Sequence, residues 1–545
     1  MAGDAPGDLG DARFNTFVLE HVYEFVAGRG VNFASPGMFY PFPDTLFFSD
    51  THVGSVIFYI PFRALGFSKL QAFVAWFFVG YLTTYVAAHY AFAKFGLRPV
   101  PAAAAAVFFT FSLPSLAQFG HAQLVYRCGV PLSILYLWRG LRSGSGIDLL
   151  RSLVWLFVQT LIGIYLGVFL GFLMASFAPA YLFFQGEKRM LWRLCSDLRR
   201  RAASPAIQDL IVGGAFITIV AATTALLDEY VSVSRLYGLH YTIGQISIDL
   251  PRIYSYLIMD NLPYWHHWLP LADKVPIRQE HQLFVGLGVL GLFVAGVWRL
   301  GHPLDIANGQ ERAEERVLDR AMLAALGVLF VLTLDIGASF ALYSKISFYS
   351  LLAAWPGINA IRAVARIIAV LMLPIALFAG RGLSLLLYEA RPKALSRVLG
   401  VGLASLAAFE IASFDKSVFS VGEAERRVSQ IVQQAKAGGK GIDRPILAFV
   451  SPLAADDRPV VTQLDAMLAA QQLGWPTVNG YTSNPLPGTA EKPNCDMAAT
   501  QYLAFDAWSK ARNFHLQESS GSLLRRTVFV NGSACNEIGA KPGEN

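Results

Sequence analysis

Long apolar stretches alternate with short polar ones along most of the chain. Runs at 71–93, 100–118, 123–140, 206–227, 282–299, 320–336, 361–380 and 396–413 are each mostly apolar. A helix needs about 17–25 such residues to cross the hydrocarbon of a bilayer, so each run predicts one span. The stretch 149–184 is apolar almost throughout and too long for one crossing at about 1.5 Å per residue. It predicts two short spans, 149–166 and 167–184, hinged near Gly163–Gly167. The pattern therefore predicts ten spans, an all-α polytopic membrane bundle.

Composition agrees with that pattern. Of 545 residues, 54% are hydrophobic and 15% are charged, whereas soluble domains carry roughly 25% charged residues. A string of soluble domains is excluded. The net charge is +6, and its placement gives it meaning. The loop at 185–204 holds Lys188, Arg189, Arg193, Arg199, Arg200 and Arg201 against Glu187 and Asp197, six minus two, or +4. Short basic loops stay in the cytoplasm. Counting outwards from this loop, Lys94, Arg98, Arg139, Arg142, Arg151, Arg299–Arg320 and Arg381–Arg397 fall on the same side. Reading 149–184 as one helix would put half of them on the wrong face. The basic charge is thus a topology signal and gives no ground for a nucleic-acid partner.

Residues 1–70, 119–122, 228–281, 337–360 and 414–545 then face outward. Three units follow: an outer loop with surface helices (1–70), a transmembrane domain (71–414) and a small α/β extracytoplasmic domain (415–545). In the last, PILAFVS at 445–451 and RTVFVNG at 526–532 have strand character, and QLDAMLAAQQLG at 463–474 has helix character. The location expected is a bacterial inner (cytoplasmic) membrane with the C-terminal domain periplasmic or extracellular. Cys495 and Cys535 both lie in that outward region, where a disulfide is permitted. Met1–Gly10 is polar and cannot carry residues 1–70 across, so a first span ahead of it is expected to be missing from this chain.

Candidate chemistry gathers in the outer loops. No phosphate loop, zinc-spaced cysteines or nucleophile elbow is present, and the spans hold few ionisable groups. Asp11 and Arg13 open an amphipathic helix in which Glu20 and Glu24 share a face, with His21 beside them. An outward carboxylate there can act as general base on a hydroxyl; a helix cap and a solvated face fit the same residues. The stretch 39–66 predicts an interfacial helix with Asp50 and His52 at its start. Asp-x-His supplies two ligands for a divalent cation, the one cofactor left open, but Asp50 or Thr51 capping the next helix fits equally. His121 and Gln123 sit in an outer turn, and Tyr254, Tyr256, Tyr264, Trp265, His266, His267 and Trp268 crowd the next outer loop. Those aromatics either anchor the loop among headgroups or stack on sugars. Arg362 and Arg366 stand one helical turn apart at an outer span end. Paired guanidiniums suit a phosphate or pyrophosphate, and snorkelling to lipid phosphates is the alternative.

The motifs GDARF…LEH (10–21), YP…SDTHVG (40–54), GHAQL…PL (120–132), HQLFVGLG (281–288), PG…IRAVAR (356–366) and NGYTSNPLP (479–487) together resemble the GT-C superfamily. These are integral-membrane glycosyltransferases that use polyprenyl-phosphate sugars, here closest in pattern to a bacterial group acting on surface polymers. The resemblance implies a sugar transferred from a polyprenyl-phosphate donor to a glycan, lipid or protein acceptor at the outer membrane face. It implies Asp11 as the catalytic base, with a span just before Gly10; Asp50 stands beside it as a second candidate catalytic carboxylate. Arg362 and Arg366 would hold the lipid phosphate, while Arg13, Glu20, His21, His121 and Gln123 would line the substrate cavity. A non-catalytic flippase or export assembly factor is the competing expectation. That role calls for polar residues through the depth of the bundle, where the spans carry few.

Overall fold

A computed structural model describes residues 3–186, 207–265, 275–302, 309–340, 346–355, 357–482, 486–490, 492–512, 514 and 518–532. Most of the basic loop at 185–204, together with His266, His267, Trp268, Cys195 and Cys535, lies outside the described residues. The chain is mostly helical. It begins with strand β1 (Asp4–Pro6) and helix α1 (Asp11–Val26), followed by α2 (Lys69–Lys94) and α3 (Pro99–Thr110). Next come α4 (Gly129–Ser143), α5 (Gly146–Ile162), α6 (Ile164–Gln185) and α7 (Ile207–Tyr237). Then follow α8 (Leu287–Gly301), α9 (Gly309–Thr333), α10 (Ile368–Ser384) and α11 (Lys393–Ser413). The C-terminal part holds β2 (Val418–Ser420), α12 (Val421–Gly438), β3 (Ile446–Phe449), α13 (Pro459–Leu473), α14 (Met497–Ala511) and β4 (Thr527–Val530).

Each predicted apolar stretch coincides with a helix. Among the described residues, six helical segments are long and apolar enough to cross a membrane: Lys69–Lys94, Pro99–Ala117, Ile164–Gln185, Asp209–Tyr237, Val364–Glu389 and Lys393–Ser413. In the fourth, none of the apolar window is buried within the chain, and side chains such as Ile211 and Ile217 stand exposed. Only an apolar surround covers such a helix without cost. The long run 149–184 breaks where predicted, at Gly163, whose extended backbone separates α5 from α6.

Local signals fix the helix ends. Ser68 Oγ accepts from the backbone N–H of Gln71, and the Gln71 side chain accepts from Ser68 N–H, a reciprocal cap that starts α2. The N–H groups of Leu287 and Gly288 donate to the Glu410 carboxylate at 2.7 and 3.1 Å, so α11 caps α8. α8 crosses α10 through Gly296 and Gly382. A Cβ on the first would lie 2.0 Å from Phe378 O, and one on the second 1.9 Å from Leu292 O. Any side chain there would force the helices apart, the small-residue contact common in apolar bundles.

The stretch 39–66 departs from the surface helix predicted for it. It forms short turns at Thr45–Phe48 and Val56–Phe58 and one brief helix, Ile60–Ala64. Asp44 before the first turn and His52 between the two adopt left-handed backbone, which interrupts any continuous helix. Asp50 does cap a helix, though not the next one: its Oδ1 accepts from Ile164 N–H at 2.6 Å, at the start of α6.

The two ends of the chain pack together. β1 pairs antiparallel with β2, Ala5 opposite Phe419. β3 and β4 run parallel, and Leu447 bridges to Thr477 on the other side of β3. The residues around Thr477 in turn pair with the N-terminal loop. Thr477 N–H donates to Gly37 O, Tyr40 N–H to Thr477 O and Phe39 N–H to Asn479 O, at 2.8, 2.9 and 3.0 Å. One hydrophobic core runs through α1, the 38–59 loops, α12, α13 and this sheet.

Candidate functional site

A cavity of about 390 Å³ opens between the start of α1, the start of α6, the last turns of α7 and the turns preceding α10. Asp11, Asp50, His121, Gln123, Arg362 and Arg366 all line it. They come from chain segments far apart in sequence, yet the topology puts each in an outer loop or at the outer end of a span.

Asp11 lies in the first turn of α1. Its Oδ2 is 2.6 Å from His121 Nδ1, and its Oδ1 accepts from the Tyr481 hydroxyl at 2.6 Å. Burial pushes the Asp11 carboxyl up. The hydrogen bonds from His121 and Tyr481 and the charge of Arg366 outweigh it, leaving Asp11 below its ordinary 3.8. His121 moves the other way. Burial and Arg366 pull its pKa down, but Asp11 and Glu280 win and hold it above 6.5. Its Nε2 stands 3.0 Å from Arg366 Nη2 and 3.5 Å from Glu280 Oε1. The neutral ring accepts from the guanidinium there, and the protonated ring faces the carboxylate. Nδ1–H stays on Asp11 in both forms.

The arginines differ from each other. They do not share a helical face, because Arg362 lies in the backbone between two tight turns, Ile358–Ala360 and Val364–Ile367, Arg366 lies in the second, and α10 starts only afterwards. Both nevertheless reach the cavity. Arg366 is held through two of its nitrogens: Nε and Nη2 bind Glu280 at 3.1 and 2.6 Å, and Nη2 also meets His121. Arg366 and His121 hold Glu280 well below the usual carboxylate range despite its burial. Arg362 is one-third exposed and touches Asp249 through Nε alone, at 2.9 Å. That contact lacks hydrogen-bond geometry, since both Asp249 carboxylate oxygens are buried without a hydrogen-bond partner. Burial lifts Asp249 to about 6, with Arg362 opposing and Glu280 assisting. The two Nη groups of Arg362 have no hydrogen-bond partner among the described residues, so they are the donors open to an anionic ligand.

Asp50 has a different character. Burial raises it from 3.8 to about 6, partly offset by Ile164 N–H, Arg366 and His121. Gln123 accepts from Asn15 Nδ2 at 3.1 Å, and Asn15 Oδ1 takes the hydrogen of His52 Nε2. Burial depresses His52 to about 3, so it is neutral and serves as a donor. Among the described residues, no three His, Cys, Asp or Glu side chains converge as metal ligands.

Arg13, Glu20 and His21 stand apart from the cavity. Arg13 is buried against Asp465, which Arg427 also holds at 2.7 Å. Glu20 is clamped by Arg63 at 2.7 and 2.8 Å and by the Tyr59 hydroxyl at 2.9 Å. His21 Nε2 lies 2.9 Å from Phe33 O. Helical geometry explains the split. At about 100° per residue, Asn15 lies close to Asp11 on the wheel, while positions 13 and 20 lie on the opposite side.

Glu280, Asp249, Tyr481 and Asn15 were not singled out in the sequence. A signal for the first two existed, since guanidiniums in an outer loop need counter-charges and 228–281 supplies carboxylates. Tyr481 lies in the motif NGYTSNPLP, but nothing there points to Asp11. Its place is set by Asn479, whose side chain bonds both Phe449 N–H and Phe449 O at 2.9 and 3.0 Å and Gln463 Oε1 at 2.8 Å.

The class defined by these features is a helical protein with membrane-length helices and a polar cavity at one end of them. Residues 32–409 match the model of a family described as a domain of unknown function, DUF6311. That is well over half of the chain, and the protein belongs to this family. No curated protein matches it. The matched region contains Asp50, His121, Glu280, Arg362 and Arg366, while Asp11 and Tyr481 are added from either side of it.

Proposed function

We propose that the protein is a membrane glycosyltransferase moving a sugar from a polyprenyl-phosphate donor to a glycan, lipid or protein acceptor. In this reading ten spans cross a bacterial cytoplasmic membrane, with the cavity and a small α/β C-terminal domain on the outer face. The disulfide at Cys495 suits that compartment. The observation that carries the proposal is the presence, in one cavity, of an ionised Asp11 and the two free Nη groups of Arg362. A phosphate held by those donors sets the anomeric carbon before Asp11. The acceptor oxygen gives its proton to Asp11 and bonds to the anomeric carbon. The bond from that carbon to the phosphate oxygen breaks, and its electron pair leaves with the phosphate. Arg362, with Arg366 behind it, stabilises the negative charge that develops. Asp11, His121, Arg362 and Arg366 face one cavity, as transfer at a surface requires.

The test is sugar transfer from polyprenyl-phosphate donors by wild type and by Asp11→Asn. General-base loss lowers the rate about 100-fold or more, with the fold retained. Equal rates would remove Asp11 from the chemistry.

A further inference from the structure

We propose that Tyr481 marks the acceptor subsite: its hydroxyl occupies the position from which an acceptor hydroxyl gives up its proton. This rests on the glycosyltransferase reading above and adds where the acceptor binds. A phenol O–H donating to Asp11 Oδ1 at 2.6 Å has the geometry of a nucleophile hydroxyl facing its general base. Oδ2 is already taken by His121, so Oδ1 is the oxygen left for a substrate. Productive binding of a hydroxyl-bearing acceptor therefore displaces Tyr481 from Asp11.

The surrounding structure makes this a built position. Tyr481 follows Asn479, which is wholly buried and pinned to β3 and α13. The backbone from 477 to 479 is also hydrogen-bonded to residues 37–40. The Tyr481 ring packs edge-on against Phe14 of α1, at 5.2 Å between centroids, so a single side-chain rotation releases its hydroxyl while the strand stays fixed. Donor and acceptor then occupy different walls. The phosphate lies towards Arg362, and the acceptor enters between α1 and the 476–482 segment.

The titratable groups facing Asp11 are His121 from the outer turn, Arg366 from before α10 and Tyr481 itself. The Tyr481 hydrogen bond is one of the interactions that lower the Asp11 pKa. Tyr481→Phe removes a competitor for Oδ1 and also lets the Asp11 pKa rise. The acceptor KM is expected to fall roughly tenfold, the equivalent of one hydrogen bond to a charged group, with the donor KM unchanged. The acid limb of the rate profile moves to higher pH. A purely structural role for Tyr481 would move neither in that direction. An acceptor KM that stays or rises while the donor KM holds overturns the proposal. If wild type transfers no sugar, the glycosyltransferase reading falls on its own. The infrared titration of the Asp11 carboxylate, compared between wild type and Tyr481→Phe without substrate, then still tests the contact. An unchanged titration there overturns it.

Discussion

The helical segment Val364–Glu389 carries an arginine near each end, and the two live in opposite surroundings. Arg366 belongs to the cavity network with Glu280 and His121. Arg381, about 22 Å further along at 1.5 Å per residue, is held by Asp319 at 3.1 Å, Glu315 at 3.3 Å and Phe95 O at 2.8 Å. Arg299 joins that second cluster through Glu389 at 3.0 Å. Each of its charges has an ion-pair partner, it contains no imidazole, and Arg381 and Asp319 are almost wholly buried. The cavity network is built from the same residue types but is left incomplete. Asp249 has unsatisfied oxygens, Arg362 has spare donors, and His121 can take or lose a proton at Nε2. Burial and charge pairing are thus poor guides to a site by themselves. What separates a fastener from a site is unused hydrogen-bonding capacity facing open volume.

Substitutions can break that distinction, and Arg381→Ala has the largest expected effect. It strands Asp319 and Glu315 without their cation and should lower stability by about 3–5 kcal/mol, measured by denaturation in detergent micelles. Arg362→Ala in the same assay serves as the control. Similar losses from both would mean that the two networks do the same job.

The second prediction concerns Asp50. Its folded pKa of about 6 lies above the ordinary 3.8, so the folded protein binds this proton more tightly than the unfolded chain. Stability from this group is present at low pH and falls as pH rises through that window. Asp50→Asn should flatten this dependence and raise stability at pH 7 by up to about 3 kcal/mol. A loss of stability at pH 7 would mean that the cap on Ile164 outweighs the cost of the buried charge.

Arg362→Ala itself should be the mildest. Asp249, already near 6, takes up a proton when its cation is gone, so the fold loses only about 1 kcal/mol. Polyprenyl-phosphate affinity by calorimetry should fall about tenfold, and unchanged affinity would point to Arg366 as the phosphate ligand.

Hydrophobic runs made the helices legible, down to the break at Gly163, because length and apolarity are local properties. They did not separate the segments that are long and apolar enough to cross a membrane from shorter ones such as α4. The gathering of Asp11, Asp50, His121, Gln123, Arg362 and Arg366 around one cavity was legible for a different reason. Topology assigns all of them to one side, and polar groups on one side have few places to collect. Their partners were not legible. Glu280 meets Arg366 across 86 residues, and Tyr481 meets Asp11 across 470. Sequence proximity favoured Arg13, Glu20 and His21 instead, which the turn of α1 carries to other faces.

The pairing of β1 with β2, and of residues 37–40 with 477–479, has a consequence for biosynthesis. The helices from α2 to α11 are an insertion within one split unit whose halves lie at opposite ends of the polypeptide. The segment that carries Tyr481 is synthesised after every one of those helices, so Asp11 meets the hydroxyl that faces it only once they have all been made. A chain that stops short of Tyr481 leaves Asp11 without that partner.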